Sequence, residues 1–191
     1  MELKLIALCP EEIKTVVAKE LNSLGIVKTK IAYKAVEFYV NEKEYYTSHL
    51  KLSTASTILR VLKEYPAAQT KNIYRQARMI KWAKLFSSKK TFRVDATIGG
   101  RGKHLPDSNS ISKQVREAIQ DDFYSAKKEK PLVSLKNPQV LIVVFYSEHK
   151  LTISCNTALT SLHKRGYRSN GHPAPLKETI AASLLELAGY N

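Results

Sequence analysis

Apolar positions along the chain fall into short runs of two kinds. Residues 3–8 are apolar apart from Lys4, as in a buried strand. Pro10 suits a first helical position, and Glu11 and Glu12 suit the positive end of a helix dipole. Ile13, Val16, Val17, Leu21 and Leu24 then recur every three or four residues, and Gly25 stands where a helix would stop. Residues 26–31 and 35–40 are β-branched or aromatic and read as a strand pair. A helix over 43–52 and a strand over 57–62 follow. The order β-α-β-β-α-β is the split pattern of a ferredoxin-like unit.

After Pro66 the pattern changes. Ile73, Ala77 and Ile80 predict a short amphipathic helix, with Trp82, Leu85 and Phe86 packing just beyond it. Residues 91–98 read as a strand ended by Gly99 and Gly100. Ile111, Val115, Ile119 and Phe123 form one stripe on a helix over about 110–126. Residues 140–146 and 151–155 make a hairpin, and Pro173 and Pro175 precede a last helix over 177–188, stopped by Gly189. The expected fold class is α/β (α+β), with two units in tandem and a C-terminal linker helix. The first unit covers 1–50 with its fourth strand near 57–62, the second covers 51–157, and the linker and helix cover 158–191.

Charge narrows the choice of partner. The chain carries 31 Lys+Arg against 17 Asp+Glu, a formal +14. Of this, +10 lies between Arg60 and His104, where twelve cations face only Glu64 and Asp95. Such a segregated excess repels itself and suits a polyanion, so nucleic acid is the expected partner. The longest apolar run, 140–146, is far below the roughly 20 residues a membrane helix needs, so no membrane partner is expected. Cys9 and Cys155 are far apart and form no C-x-x-C pair, which fits reduced, buried thiols in a cytoplasmic protein.

Candidate chemistry is sparse. Residues 99–104 invite comparison with a phosphate-cradling loop, but Thr97 and His104 occupy positions where a Walker A loop needs a glycine and a hydroxyl. What survives is a strand-to-helix loop whose Arg101 and Lys103 could touch a phosphate backbone, or simply a plain loop. Arg75, Arg78, Lys81 and Lys84 fall three apart and would cover nearly half a helix circumference without interleaved acids. Lys113 and Arg116 add cations on the following helix. Tyr74 and Trp82 could stack on bases, although a Trp beside Leu85 and Phe86 is more often core. The five His show no metal-ligand spacing, and Asp121 and Asp122, adjacent on a helix, face different ways. No nucleophile elbow appears, so no catalytic, cofactor or metal residue is expected. Lys164, Arg165, Tyr167 and Arg168 surround Gly166, combining cations for phosphate with groups that can stack on bases.

That last segment carries a resemblance. Leu162-His163-Lys164-Arg165-Gly166-Tyr167-Arg168, with the following Ala174-Pro175-Leu176-Lys177-Glu178-Thr179-Ile180-Ala181-Ala182, resembles the junction motif of THUMP-containing rRNA guanine-N2 methyltransferases. Leu8-Cys9-Pro10, Val36-Glu37-Phe38, Thr54-Ala55-Ser56 with Arg60, and Thr91-Phe92-Arg93-Val94-Asp95-Ala96-Thr97 agree in collinear order. The resemblance implies a ferredoxin-like domain, a THUMP domain that grips RNA, and a linker into a Rossmann-like domain. In the family that last domain binds S-adenosylmethionine and methylates a guanine amine of 23S rRNA. The family's cofactor loop and Asn/Asp-Pro-Pro-type catalytic motif would fall beyond the equivalent of Asn191. This chain is therefore expected to be truncated, to be inactive alone, and to hold no cofactor itself. The glycine-rich, basic 99–109 stretch departs from the family pattern. A THUMP module serving tRNA thiolation or methylation is the alternative, and a self-contained enzyme on a ferredoxin-like scaffold a further one.

Overall fold

A computed structural model of the 191-residue chain describes residues 2–66, 72–99, 107–147, 150–158, 160–166 and 175–190. The chain divides into two compact units. One comprises Met1–Arg60 with Thr160–Asn191, and the other is Val61–Leu159.

The first unit builds the expected ferredoxin-like sheet. Strands β1 (Leu3–Leu8), β2 (Thr29–Ala32), β3 (Ala35–Val40) and β4 (Thr57–Pro66) lie in the order β2-β3-β1-β4 with every neighbouring pair antiparallel. Helix α1 (Lys14–Ser23) presents Val16, Val17 and Leu21 to Leu5, Ala7, Val36 and Phe38. Its end departs from the expected strand over 26–31. Gly25 adopts φ 85°, its N–H bonds Asn22 O at 3.0 Å, and the Ile26 N–H bonds Leu21 O at 3.0 Å. This pair of bonds closes a helix C-terminus, so buried Ile26 seats the helix and pairing begins only at Thr29. Helix α2 (Glu42–Lys51) starts one residue before the expected 43. Asn41 accepts the Glu44 N–H at 3.0 Å while the Glu44 carboxylate accepts the Asn41 N–H at 2.8 Å.

The C-terminal segment belongs to this unit. Leu162 and Ile180 pack against its core, and Lys19 of α1 pairs with Glu186 of helix α6 (Glu178–Leu187) at 3.2 Å. Helix α6 buries Thr179 and Ser183 and exposes Leu184, Leu185 and Leu187, the reverse of an ordinary surface helix.

In the second unit the far part of β4 precedes β7, β6 and β5 in the sheet order. β5 (Phe92–Gly99) runs parallel to β6 (Val140–Ser147), which pairs antiparallel with β7 (Lys150–Asn156). Helix α5 (Ser108–Lys127) lays the expected stripe of Ile111, Val115, Ile119 and Phe123 on the core beside Phe92, Ile142, Val144 and Ile153.

Before β5 the structure corrects the idea of one cation-bearing helix. Two short helices form, α3 (Ile73–Arg78) and α4 (Trp82–Leu85). The break has a direct cause. Trp82 is fully buried and its indole N–H takes Ala77 O at 2.8 Å, an acceptor also used by Ile80 N–H at 3.2 Å. A continuing helix would need that carbonyl for Lys81 N–H. Trp82 is therefore core and not a base platform.

Candidate nucleic-acid interface

The second unit holds most of the excess charge: 18 Lys+Arg against eight Asp+Glu, a net +10 of the chain's +14. Its described ion pairs join Arg78 to Asp122, Arg93 to Asp95, Lys130 to Asp121 and Lys150 to Glu64. Among the described residues Lys81, Lys84, Lys89, Lys90, Lys127 and Lys128 take no part in an ion pair, and all six are exposed.

Two carboxylates gather these lysines. Buried Asp122 of α5 accepts the Ala83 N–H at 3.1 Å, which fixes α4 and so Lys81 and Lys84 against the last turns of α5. Glu129, just past that helix, accepts the Ser88 hydroxyl, which holds the turn carrying Lys89 and Lys90 nearby. Lys127, Lys128 and Lys130 belong to the same end. Cations there also suit the negative pole of the helix dipole.

The residues singled out from the sequence divide accordingly. Arg75 is exposed on α3. Arg78 is engaged, 3.7 Å from Asp122 and donating to Ser125 Oγ at 3.3 Å. Lys113 and Arg116 lie on the first half of α5, roughly 16–21 Å along the axis from Lys127 at 1.5 Å per residue. Arg101, Lys103, Tyr167 and Arg168 lie outside the described residues. Lys164 is exposed in the first unit. Arg165 is employed locally: its guanidinium donates to Leu162 O at 2.9 Å, Leu52 O at 2.8 Å, His49 O at 3.3 Å and also Leu50 O. It thereby satisfies carbonyls that the end of α2 leaves without helical partners.

Sequence reasoning passed over Tyr124, Lys127, Lys128 and Lys130. The signal was present as Tyr124-x-x-Lys127-Lys128-x-Lys130, where a one-turn spacing puts Lys128 over Tyr124. Tyr124 is 51% exposed, with the Lys128 ammonium 5.2 Å and the Lys130 ammonium 5.5 Å from its ring centroid. Tyr74, the other candidate stacker, donates its hydroxyl to Asp121 at 2.8 Å, and that bond pushes its pKa up.

Comparison with known proteins places these two units. Residues 67–156 match the THUMP domain, and residues 4–59 match the RlmL ferredoxin-like domain. The chain carries a ferredoxin-like domain like that of RlmL and a THUMP domain. Over 184 residues it is 32% identical to a ribosomal RNA large subunit methyltransferase K/L of Shewanella frigidimarina, covering 96% of this chain and 26% of the relative. The same-named protein of Marinomonas sp. is 27% identical, covering 95% of this chain and 25% of the relative. The chain thus spans about a quarter of the length of the curated relatives it matches. A solved structure of a possible methylase from Clostridium difficile 630 shares the fold at TM-score 0.81 and 25% identity, over 98% of this chain and 49% of that one.

The relatives' names imply S-adenosylmethionine, and one described concavity does not fit it. A concavity of about 270 Å³ in the ferredoxin-like unit is lined by Glu2, Ile26, Lys28, Tyr39, Asn41 and Glu44. Its lysine is already paired with Glu2 at 2.6 Å, and it lacks the strand–glycine loop–helix that cradles a nucleoside cofactor. No described helix is long and apolar enough to cross a membrane.

Proposed function

We propose that this chain binds structured RNA through its THUMP unit, as the targeting part of an S-adenosylmethionine-dependent large-subunit rRNA (guanine-N2) methyltransferase. The observation that carries the reading is the gathering of unpaired lysines at one end of α5, within a unit that matches the THUMP domain. Cations without acidic partners are what counterion release from an RNA backbone requires. Lys81, Lys84, Lys127 and Lys128 form the centre of the interface, Arg75, Lys89 and Lys90 flank it, and Lys113 and Arg116 form a second contact farther along α5. Arg101, Lys103, Tyr167 and Arg168 remain candidate contacts on sequence grounds. Methyl transfer would fall to the part of the relatives that this chain does not span. S-adenosylmethionine would bind there, and this chain alone would turn over no substrate. The exposed Leu184, Leu185 and Leu187 face of α6 offers that part an apolar seat. The setting is the cytoplasm, and 23S rRNA is the expected target.

Competition binding to 23S rRNA fragments and to tRNA across a salt series tests this. Preference for one rRNA fragment, with affinity falling steeply as salt rises, is the expected result. A preference for tRNA would move the chain to a tRNA-modifying enzyme. No salt-dependent RNA binding at all would overturn the RNA reading.

A further inference from the structure

Helix α5 ends on a residue that is costly where it stands. Lys128 caps the helix with φ 59° and ψ 23°, the left-handed region that glycine occupies without a steric penalty. A glycine would close the helix more easily, but it would remove an ammonium. That ammonium lies 5.2 Å from the centre of the Tyr124 ring, and Lys130 adds a second at 5.5 Å. Tyr124 is 51% exposed, and exposed Lys127 lies three positions farther along the chain. Large aromatic side chains are more often found with their faces packed, as Phe123 and Trp82 are in this same unit.

Resting on the RNA reading above, we propose that Tyr124 with Lys128 and Lys130 is a contact for an unpaired nucleotide: the ring stacks on its base and the ammonium groups take the flanking phosphates. An aromatic face reaches a base only where that base is free of its helical neighbours, as in loops, bulges and strand ends. The lysines on α4 and on the turn behind it contribute charge that any RNA duplex satisfies. Tyr124 adds a requirement for a base that is not paired. A cation over an exposed ring is held weakly, so a lysine moves from ring to phosphate at little cost when the base arrives. The neighbouring interactions leave Lys128 free to do this, while Lys130 is shared with an acid. Asp121, the nearby acid, accepts from Tyr74 and pairs with Lys130 at 3.6 Å, and no described acid pairs with Lys128.

The test uses this chain with two RNAs of equal length, a hairpin carrying an unpaired loop and a blunt duplex. Tyr124→Ala is expected to weaken hairpin binding about tenfold and to leave duplex binding within twofold, while Tyr124→Phe retains both. Lys128→Gly is expected to weaken hairpin binding several-fold without lowering the melting temperature, because glycine suits the left-handed cap. Equal binding of both RNAs by the Tyr124→Ala variant and the unchanged chain would overturn the proposal and leave the RNA reading standing. An equal loss on hairpin and duplex would overturn it too, since the ring would then serve only the general basic surface. If the unchanged chain binds neither RNA, both readings fail together. A lower melting temperature in Lys128→Gly would make the lysine a structural cap and also count against the proposal.

Discussion

The two units are built from similar strands and helices, yet they use their charged groups in opposite ways. In the ferredoxin-like unit the charges hold the fold together. The Glu20 carboxylate accepts the Ser53 N–H at 2.8 Å, the Ser53 hydroxyl at 2.7 Å, the Thr54 N–H at 3.0 Å and the Thr54 hydroxyl at 2.5 Å. Arg165 closes the end of α2, and Glu11 takes both Lys14 and the Lys34 N–H. In the THUMP unit acids do the fastening while lysines are left over: Asp122 and Glu129 hold backbone and hydroxyl groups, Asp122 also pairs with Arg78, and the neighbouring Lys81, Lys84, Lys89, Lys90, Lys127 and Lys128 face solvent. A net charge therefore says little until each charge is followed to its partner. Arg165 and Lys128 count equally in a sum, but only Arg165 is tied to backbone carbonyls.

Removing a fastening group should cost folding, and removing a spare cation should cost binding. The largest effect is expected from Glu20→Ala, which leaves four donors without their acceptor, two of them on buried Thr54. A loss of about 3 kcal/mol in denaturant unfolding is expected, with RNA affinity unchanged under conditions where the variant is folded. Next comes the reverse case. Changing Lys81, Lys84, Lys127 and Lys128 together to Glu should lower RNA affinity at least about 100-fold at low salt and flatten its salt dependence. Its melting temperature should stay at or above that of the unchanged chain, because like-charge repulsion is relieved. Retained RNA affinity in this variant would remove the contrast between the units.

Arg165→Ala sharpens the comparison within the basic junction segment. It should destabilise by about 1–2 kcal/mol by uncapping α2, and it should change RNA affinity less than twofold. A selective loss of RNA binding would return Arg165 to the interface. The smallest effect concerns pH. Burial of His49 lowers its pKa below 6.5, although its bond to Tyr45 O opposes the shift. The folded unit thus binds that proton less readily than the unfolded chain, so its contribution is complete above pH 6.5 and is lost as pH falls below it. Melting curves between pH 7.5 and 5.5 should show a fall that His49→Gln reduces. An identical fall in both would assign the acid sensitivity to other groups.

Legibility from sequence followed the range of the interactions. β1 and β3 occur over the very residues expected, because an alternating or continuous apolar run depends only on neighbours. The stripe on α5 was legible for the same reason. The misplacement at residues 26–31 came from Ile26, whose β-branched shape suits a strand but whose N–H is taken by Leu21 O. The break between α3 and α4 was hidden because periodicity continues through Ile80, while the indole that interrupts it acts by a side-chain bond. Arg165 was the least legible of all. Its partners are the carbonyls of residues 113–116 positions upstream, and nothing in a local basic motif distinguishes a cap from a phosphate contact.

The ferredoxin-like unit is interrupted in sequence: its last pieces, from Thr160 onward, follow the whole of Val61–Leu159. On the ribosome this sets an order of events. The THUMP unit is contiguous and can close its core as soon as Leu159 has cleared the exit tunnel, as contiguous domains generally do. At that moment the older, N-terminal unit still lacks Leu162 and Ile180 for its core, Arg165 for the end of α2, and Glu186 for Lys19. The unit that begins first is completed last, and the THUMP unit can fold before the unit that precedes it has all its pieces.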